Sequence, residues 1–316
     1  MKRGCVIGYD INEKGCQISY YDDSMEEPDT MMASSNNYLI PLVLGYFKDR
    51  WVFGKEAKRL AVVGEDCTET DLYGKAKRRE KVSLAGKTYD AVWLLAKYIS
   101  LTLQDFENIQ YLTFTTPETD VDMAKMLKGI GQHIGVDKEI INVQDYKESF
   151  CQYMIFQPKE LWQYESALFY CDEDRIKAYM LRRLRVDASH GMNSFVTVDE
   201  VANAQRKELE ALYPIMNKEK SPDESFKSMI ENVFEKKVIS SVYLTGEGFE
   251  KNWYPNSLRV LCNGRRAFMG NNLYSKGACY KSIRKCEPND DGPIYLDETK
   301  LTERICLRMR VDGQEG

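Results

Sequence analysis

The sequence Val242-Tyr-Leu-Thr-Gly-Glu-Gly-Phe249 is an apolar strand that ends in two closely spaced glycines, Gly246 and Gly248. A backbone without Cβ atoms can approach a flat ligand closely. The pattern is not the dinucleotide fingerprint G-x-G-x-x-G, because Lys251 occupies the position of the third glycine and the strand comes late in the chain. We therefore expect a ligand such as a nucleotide at this strand end, and not NAD. A plain turn is the alternative interpretation of the two glycines.

The composition is that of a folded protein. At 316 residues the chain is long enough for two domains. Its 43% hydrophobic and 29% charged residues exclude a mostly disordered chain. The sequence lacks the run of roughly 18 apolar residues that a membrane helix requires, and its first residues enter a strand instead of a signal region. These features predict a cytoplasmic protein without a membrane partner.

The charge, the cysteines and the histidines argue against several kinds of site. A net charge of −5 argues against a nucleic-acid partner, which requires a basic face. Nine cysteines at irregular spacing, with no C-x-x-C pair, predict buried thiols instead of disulfides or zinc ligands. The two histidines, His133 and His190, have no other ligand at metal spacing, so we expect neither histidine catalysis nor a histidine metal site.

One basic segment is conspicuous in this acidic chain. Lys75-Ala-Lys-Arg-Arg-Glu-Lys81 comes directly after Glu65-Asp-Cys-Thr-Glu-Thr-Asp71. Neighbouring blocks of opposite charge are typical of a solvated surface loop. Docking of a protein partner is the alternative interpretation.

A β-hairpin with an acidic turn opens each half of the chain. The first has strands at 5–9 and 16–21, with Asp10 closing the first strand. The second has strands at 167–171 and 175–181 around Asp172-Glu-Asp174. This repetition predicts a duplicated α/β architecture with one lobe at residues 1–165, a second lobe at 166–285 and a tail at 286–316. The strand-like segment 304–311 in the tail predicts the start of a further β domain.

Helical and extended segments alternate after each hairpin. Apolar residues at helical spacing predict helices over 91–103, from about 119, over 199–213 and over 222–236. Strand patterns occur at 42–47, 51–53, 109–115, 140–143 and 239–244. This alternation is typical of mixed or parallel sheets covered by helices.

The order of these segments resembles the superfamily of actin, DnaK-type chaperones and sugar-kinase ATPases. The resemblance covers residues 1 to 285 and rests on the Asp10 hairpin, the segment 40–58, the strand end at Gly246 and Gly248, and the segment 276–280. Its chaperone branch is the most similar, because Gly-Lys-Glu-Ala-Lys58 follows a short hairpin as it does there. The resemblance implies a ribonuclease H-like fold, in which two similar domains surround a central cleft that binds ATP or ADP with Mg²⁺.

The resemblance also implies roles for individual residues. The Asp10 hairpin, with Asn12 and Lys14, corresponds to the first phosphate loop, and Asp172-Glu-Asp174 to the second. The remaining positions are the first connecting segment at 141–145, the adenosine loop at Gly246, Glu247 and Gly248, and the second connecting helix at Gly277 and Ala278. Apart from the resemblance, Arg265 and Arg266 are candidates to stack on a base or to contact a phosphate. Asp10 and Asp172 are then the catalytic pair that holds Mg²⁺ through water. The alternative for the two aspartates is that they are ordinary turn residues. The alternative for Arg265 is that it is an ordinary surface side chain.

Both phosphate loops depart from the family's pattern. Ile11, Asn12 and Glu13 replace the glycine and hydroxyl of the first loop, and the second loop has no glycine. Three adjacent carboxylates repel phosphate unless a metal lies between them. We therefore expect a chaperone-like or actin-like domain that binds adenine nucleotide with weak or absent hydrolysis. The alternative is a pseudo-ATPase that serves an unknown protein partner without nucleotide, and a small-metabolite kinase is a third class for which no catalytic aspartate can be singled out.

Overall fold

A computed structural model describes most of the chain. It covers residues 4–35, 37–63, 67–184, 194–205, 221–286 and 292–297, and the backbone of 310–311 and 314–315. These residues form a mixed α/β fold, so the predicted class is confirmed. Among them, every helix is too short or too polar to span a bilayer.

The first half of the chain contains eleven strands and five α-helices within the described residues. In chain order they are β1 (Cys5–Ile11), β2 (Gly15–Tyr21), β3 (Asp29–Thr30), β4 (Ile40–Pro41), β5 (Leu44–Phe47), β6 (Arg50–Phe53), α1 (Gly54–Val63), β7 (Thr68–Glu69), α2 (Leu72–Lys77), β8 (Lys81–Leu84), β9 (Lys87–Asp90), α3 (Ala91–Thr102), β10 (Ile109–Thr116), α4 (Val121–His133), β11 (Ile141–Asp145) and α5 (Tyr146–Ile155). Short 3-10 turns lie at Lys138–Ile140 and Lys159–Leu161.

The second half begins with the second predicted hairpin. Its described elements are β12 (Glu165–Cys171), β13 (Arg175–Leu184), β14 (Phe195–Gln205), α6 (Pro222–Phe234), β15 (Ile239–Thr245), α7 (Pro255–Leu261), β16 (Arg266–Met269), α8 (Leu273–Cys286), β17 (Ile294–Tyr295), β18 (Arg310–Val311) and β19 (Gln314–Glu315). A 3-10 turn at Glu247–Phe249 follows β15.

The two large sheets have the same topology. The first has the strand order β11-β10-β1-β2-β3, and the second has the order β16-β15-β12-β13-β14. In each sheet the opening hairpin is antiparallel. A later strand, β10 or β15, pairs in parallel with the first strand of the hairpin, and β11 or β16 then pairs in parallel with that strand. β17 adds to the outer edge of the second sheet beside β14, so residues 294–295 of the predicted tail belong to this lobe.

Each sheet has a helix from the other half of the chain on its inner face. Phe150 and Met154 of α5 pack in a buried cluster with Leu168 of the second sheet. Helix α8 lies against the first sheet so closely that a Cβ on Gly8 would overlap its backbone. The two helices also touch, because a Cβ on Gly277 of α8 would overlap the carbonyl oxygen of Ser149 in α5. The lobes therefore share one interior.

The outer faces of the two sheets carry separate apolar cores. Ile7, Tyr9 and Phe114 face α3 and α4, whereas Phe169 of the second sheet faces α6 and α7. Aspartates fix where α3 and α4 begin. Asp90 accepts hydrogen bonds from the backbone N–H groups of Val92 and Trp93 at 2.8 and 3.2 Å, and Asp120 accepts one from Met123 at 2.7 Å.

Two local predictions were wrong. Residues 199–205 are part of strand β14, because they pair with β13 over its whole length, and the rest of the predicted helix 199–213 lies outside the described residues. The basic segment predicted as a loop begins within helix α2, which buries Leu72, Tyr73 and Ala76 on one face. Of the strand predicted at 304–311, the description includes only 310–311, which pair with 314–315.

Candidate functional site

A polar cavity of about 340 Å³ lies between the two sheets. The first hairpin forms one side of it, the loop after β15 forms the other, and tyrosines from α5 and α8 lie between them. Its lining residues are Asp10, Asn12, Lys14, Gln17, Asn37, Tyr38, Leu39, Tyr146, Tyr170, Thr245, Gly246, Glu247, Glu250, Asn271 and Tyr274. Five of the predicted site residues are therefore together, namely Asp10, Asn12, Lys14, Gly246 and Glu247.

Asp10 is the most buried acid of the cavity, with 3% of its surface exposed. Its carboxylate accepts a hydrogen bond of 2.8 Å from the hydroxyl of Tyr146, which in turn accepts one of 3.0 Å from the amide of Asn12. Burial raises the pKa of Asp10 to about 7, although the Tyr146 hydrogen bond opposes that rise. Near neutral pH the carboxyl is therefore divided between its protonated and ionised forms.

Three tyrosines form the aromatic wall of the cavity. The rings of Tyr146 and Tyr274 stack with centroids 3.7 Å apart, and the ring of Tyr170 lies 6.4 Å from that of Tyr146 and 6.3 Å from that of Tyr274. Burial raises the pKa of Tyr146 and of Tyr274 well above the usual value, so both hydroxyls stay neutral. The wall therefore presents polar but uncharged groups.

Two buried polar atoms of the cavity residues have no partner among the described residues. They are the side-chain carbonyl oxygen of Gln17 and the hydroxyl of Tyr274, whose residues are 8% and 3% exposed. A buried polar atom without a hydrogen bond costs about 1–3 kcal/mol, so native proteins rarely leave one unpaired. Both atoms are available for a ligand in the cavity.

Lys14 joins the two lobes across the mouth of the cavity. Its ammonium forms an ion pair with Glu247 and lies 3.8 Å from a carboxylate oxygen of Glu173 in the second hairpin. The side chain of Asn12 shapes the turn that presents Lys14, because its oxygen accepts the N–H of Lys14 at 2.9 Å. Partial burial lowers the pKa of Lys14, but the hydrogen bond and charge of Glu247 outweigh it, so the net pKa is raised.

Asp172, the second predicted catalytic residue, uses its carboxylate to stabilise the turn of the second hairpin. One of its carboxylate oxygens accepts the backbone N–H groups of Asp174 and Arg175 at 2.8 and 2.7 Å. This is the geometry of an aspartate that closes a hairpin turn. Asp172 is not among the residues that line the cavity.

Gly246 and Gly248 are required by the packing of the chain itself. Gly246 has a φ of +99°, and a Cβ there would overlap the carbonyl oxygen of Cys171. A Cβ on Gly248 would overlap the sulfur of the same cysteine. The contacts with Cys171 therefore explain both glycines without the flat ligand that we expected at this strand end. Gly246 lines the cavity, and Gly248 does not.

Arg265 lies away from the cavity. Its guanidinium is 4.6 Å from the ring centroid of Phe234, which packs on the outer core of the second lobe. Burial lowers the pKa of Arg265. The side chain makes a cation–π interaction with Phe234 and is not among the residues that line the cavity, so the structure does not bring Arg265 together with the other predicted site residues.

The residues around the cavity do not suit a magnesium triphosphate. Among the described residues of the lining, the one lysine is paired with Glu247, and two further acids, Asp10 and Glu250, line the same space. The described residues contain no group of three or more metal-ligating side chains. A γ-phosphate placed here would meet carboxylates at short range, and the lysine of the described lining is already engaged by Glu247, so the metal ion alone would have to balance the negative charges.

Sequence reasoning missed the residues at the centre of the site. Tyr146, Tyr170 and Tyr274 come from three separate segments, and Gln17 lies opposite Asp10 on the paired strand. Gln17 could have been found from the alternation of β2, which places it on the same face as Asp10. Only the packing of α8 between the lobes brings Tyr274 to the cavity.

The fold and the site define an α/β protein with two topologically equivalent sheets and a polar cavity between them. Its particular family follows from comparison with known proteins. The chain belongs to the family described as "Family of unknown function (DUF5716) C-terminal", whose model matches residues 27–298. The first hairpin precedes the matched range. A search of the curated proteins found no match.

Proposed function

We propose that the chain has a duplicated actin-like, ribonuclease H-like fold and acts as a pseudo-ATPase. Two sheets of equal topology, a hairpin from each sheet beside one cavity, and a helix exchanged in each direction support this fold. The resemblance implies two similar domains and connecting segments, and these features support that assignment. The proposed function is that of an interaction module that keeps the cleft and has lost phosphate chemistry.

The ion pair between Lys14 and Glu247 is the observation that carries this proposal. It lies where the first hairpin approaches the loop after β15, and it connects the two hairpin-bearing lobes across the cavity with protein charges. A like charge 4 Å from a phosphate costs about 1 kcal/mol in water and ~4 kcal/mol at an effective dielectric of 20. Glu247 and Glu173 would both impose such a cost on a nucleotide that displaced Lys14.

Adenine nucleotide binding without efficient hydrolysis is the second candidate. The unpaired oxygen of Gln17 and the unpaired hydroxyl of Tyr274 favour it, because they offer an acceptor and a donor to a polar ring in the cavity. In that case the nucleoside supplies most of the affinity and the phosphates contribute little. Adenosine should then bind at least as well as ATP.

Thermal unfolding with separate ligands distinguishes the two candidates. The purified chain is heated alone and with adenosine, ADP or ATP, each with Mg²⁺ and with a chelator. A ligand at a hundred times its Kd stabilises the fold by ~2.7 kcal/mol and raises the midpoint by a few degrees. The pseudo-ATPase proposal expects no shift with any of them and no phosphate release.

The other outcomes are equally specific. A shift with adenosine that Gln17→Leu removes supports the second candidate. A Mg²⁺-dependent shift with ATP, together with phosphate release that Asp10→Asn abolishes, overturns the pseudo-ATPase proposal. Asp23→Asn, on an exposed turn, is the matched control for the loss of one carboxylate.

A further inference from the structure

A second concave surface lies on the first lobe, on the side away from the cavity. We name it the α3–α4 groove, because these two helices form its walls. It has a volume of about 420 Å³ and is lined by Arg79, Asp90, Val92, Trp93, Ala96, Lys125, Met126, Gly129, Ile130 and His133. It shares no residue with the cavity between the lobes.

Gly129 has no structural explanation within the described chain. It lies inside helix α4, where glycine is one of the least favourable residues. A Cβ at this position would meet nothing within 4 Å. Gly131, two residues further on, is different, because a Cβ there would come within 2.6 Å of Ile141. A glycine that is unfavourable and open to solvent is suited to the close approach of a second backbone.

An exposed aromatic residue lies on the same groove. Trp93 has 38% of its surface exposed, and its ring stacks on Tyr89 with centroids 5.4 Å apart and an angle of 12°. Trp51 supports the same ring at 5.8 Å. A tryptophan held rigidly at the surface loses little side-chain freedom on binding and is typical of the energetic centre of a protein interface. Met126, which is partly buried beside it, supplies an adaptable apolar contact.

The rim of the groove is positively charged. Arg79 and Lys125 form no ion pair with any described residue, and His133 lies on the same rim. The one acid of the lining, Asp90, uses its carboxylate to cap α3. This local positive charge contrasts with the net charge of −5 of the whole chain. Arg79 belongs to the basic segment for which docking was the alternative interpretation.

We propose that the α3–α4 groove binds an acidic amphipathic helix of a partner protein. A small residue of that helix lies over Gly129, an apolar residue packs on Trp93, and its carboxylates face Arg79 and Lys125. Helix-in-groove recognition of this kind uses apolar anchors at helical spacing together with charge complementarity at the rim. This inference goes beyond the proposed function, and it holds whether or not the cleft binds nucleotide.

Peptide display tests the proposal with the full chain. A yeast-displayed library of amphipathic 16-residue helices, with random charged positions and a random central position, is sorted for binding to the labelled protein. The expected winners are acidic and carry Gly, Ala or Ser at the centre. Their affinity should fall at least tenfold for Gly129→Leu and for Trp93→Ala, whereas Gly129→Ala should stay within threefold of the wild type.

The controls separate loss of binding from loss of fold. Gly129→Leu adds a better helix former in open space, so its unfolding temperature should equal or exceed that of the wild type. Arg79→Glu with Lys125→Glu should reverse the charge preference of the library. Winners without acidic residues, winners that bind Gly129→Leu equally well, or the absence of any winner would overturn the proposal. A concentration-dependent dimer that Gly129→Leu abolishes would also overturn it, in favour of a second copy of this chain as the occupant.

Discussion

The pH dependence of stability should reveal the state of Asp10. Its carboxyl is buried, and the pKa is raised from 3.8 to about 7 in the folded protein. The folded state therefore holds this proton more tightly than the unfolded state does. The stabilising contribution is fully present below the unfolded pKa and is lost as the pH rises through the folded pKa. Wild-type stability should fall between about pH 4 and pH 7 for this reason.

The replacement Asp10→Asn removes the titration while keeping an oxygen that can accept from Tyr146. Each pH unit between the two pKa values is worth about 1.36 kcal/mol, so the full difference amounts to about 4 kcal/mol. Between pH 5 and pH 8.5 the free energy of unfolding of the variant, minus that of the wild type, should increase by roughly 3 kcal/mol. The stability of the variant relative to the wild type should therefore be greatest in alkaline buffer.

Urea unfolding at several pH values measures this difference. The free energy of unfolding of each protein is extrapolated to water, and the difference between variant and wild type is plotted against pH. Subtracting the wild type removes the titration of every group that both proteins share. A difference that does not change with pH, or a wild type that becomes relatively more stable at high pH, would refute this prediction. Either result would show that Asp10 is ionised in the folded protein and that its charge is balanced there. Asp23→Asn on the surface serves as the control for charge alone.

Three further predictions concern the lobe contacts and the glycines. Lys14→Met should increase amide hydrogen exchange in both hairpin turns, but it should lower the free energy of unfolding by only about 0–1 kcal/mol, because the pair with Glu247 is substantially exposed. A double-mutant cycle of Lys14 and Glu247 that finds no coupling would contradict the ion pair between the lobes. Gly246→Ala should destabilise the fold by more than about 2 kcal/mol, while Gly264→Ala, also at positive φ but in open space, should cost only about 1 kcal/mol; equal midpoints in chemical unfolding would reject this explanation. Gly129→Ala should raise the free energy of unfolding by up to about 1 kcal/mol, and a decrease would mean that α4 has a packing neighbour at this point.

Local signals predicted the hairpins and one side of the cavity. Strong alternation and acidic turns are properties of a short segment, so β1, β2, β12 and β13 could be identified from sequence, and Asn12 and Lys14 were correctly placed beside Asp10. Other features depend on distant partners. The residues of β14 have a helix-compatible pattern and become a strand because β13 offers a pairing edge.

The side chains that matter most in the cavity were the hardest to predict. Tyr274 and Tyr146 are ordinary helical tyrosines until α5 and α8 bring their rings together. Arg265 lies outside the cavity lining, and the sequence could not predict this, because an arginine near a glycine-rich strand end has no local signal that distinguishes a ligand contact from stacking on Phe234. Gly246 and Gly248 were singled out because glycines allow a flat ligand to approach the backbone. The structure gives a different reason for them, which is their close contact with Cys171.

The exchange of α5 and α8 between the lobes has a consequence for synthesis on the ribosome. The inner face of the first sheet carries hydroxyls whose partners are in α8, including Ser19 with Ser275 and Thr113 with Ser282, both at 2.8 Å. These partners are translated more than 160 residues after the strands that they cover. The inner face of the first sheet therefore lacks its contacts with α8 until nearly the whole second lobe has left the ribosome. A ribosome-stalled chain that ends before residue 273 should remain protease-sensitive in both halves, and the two lobes should become resistant together.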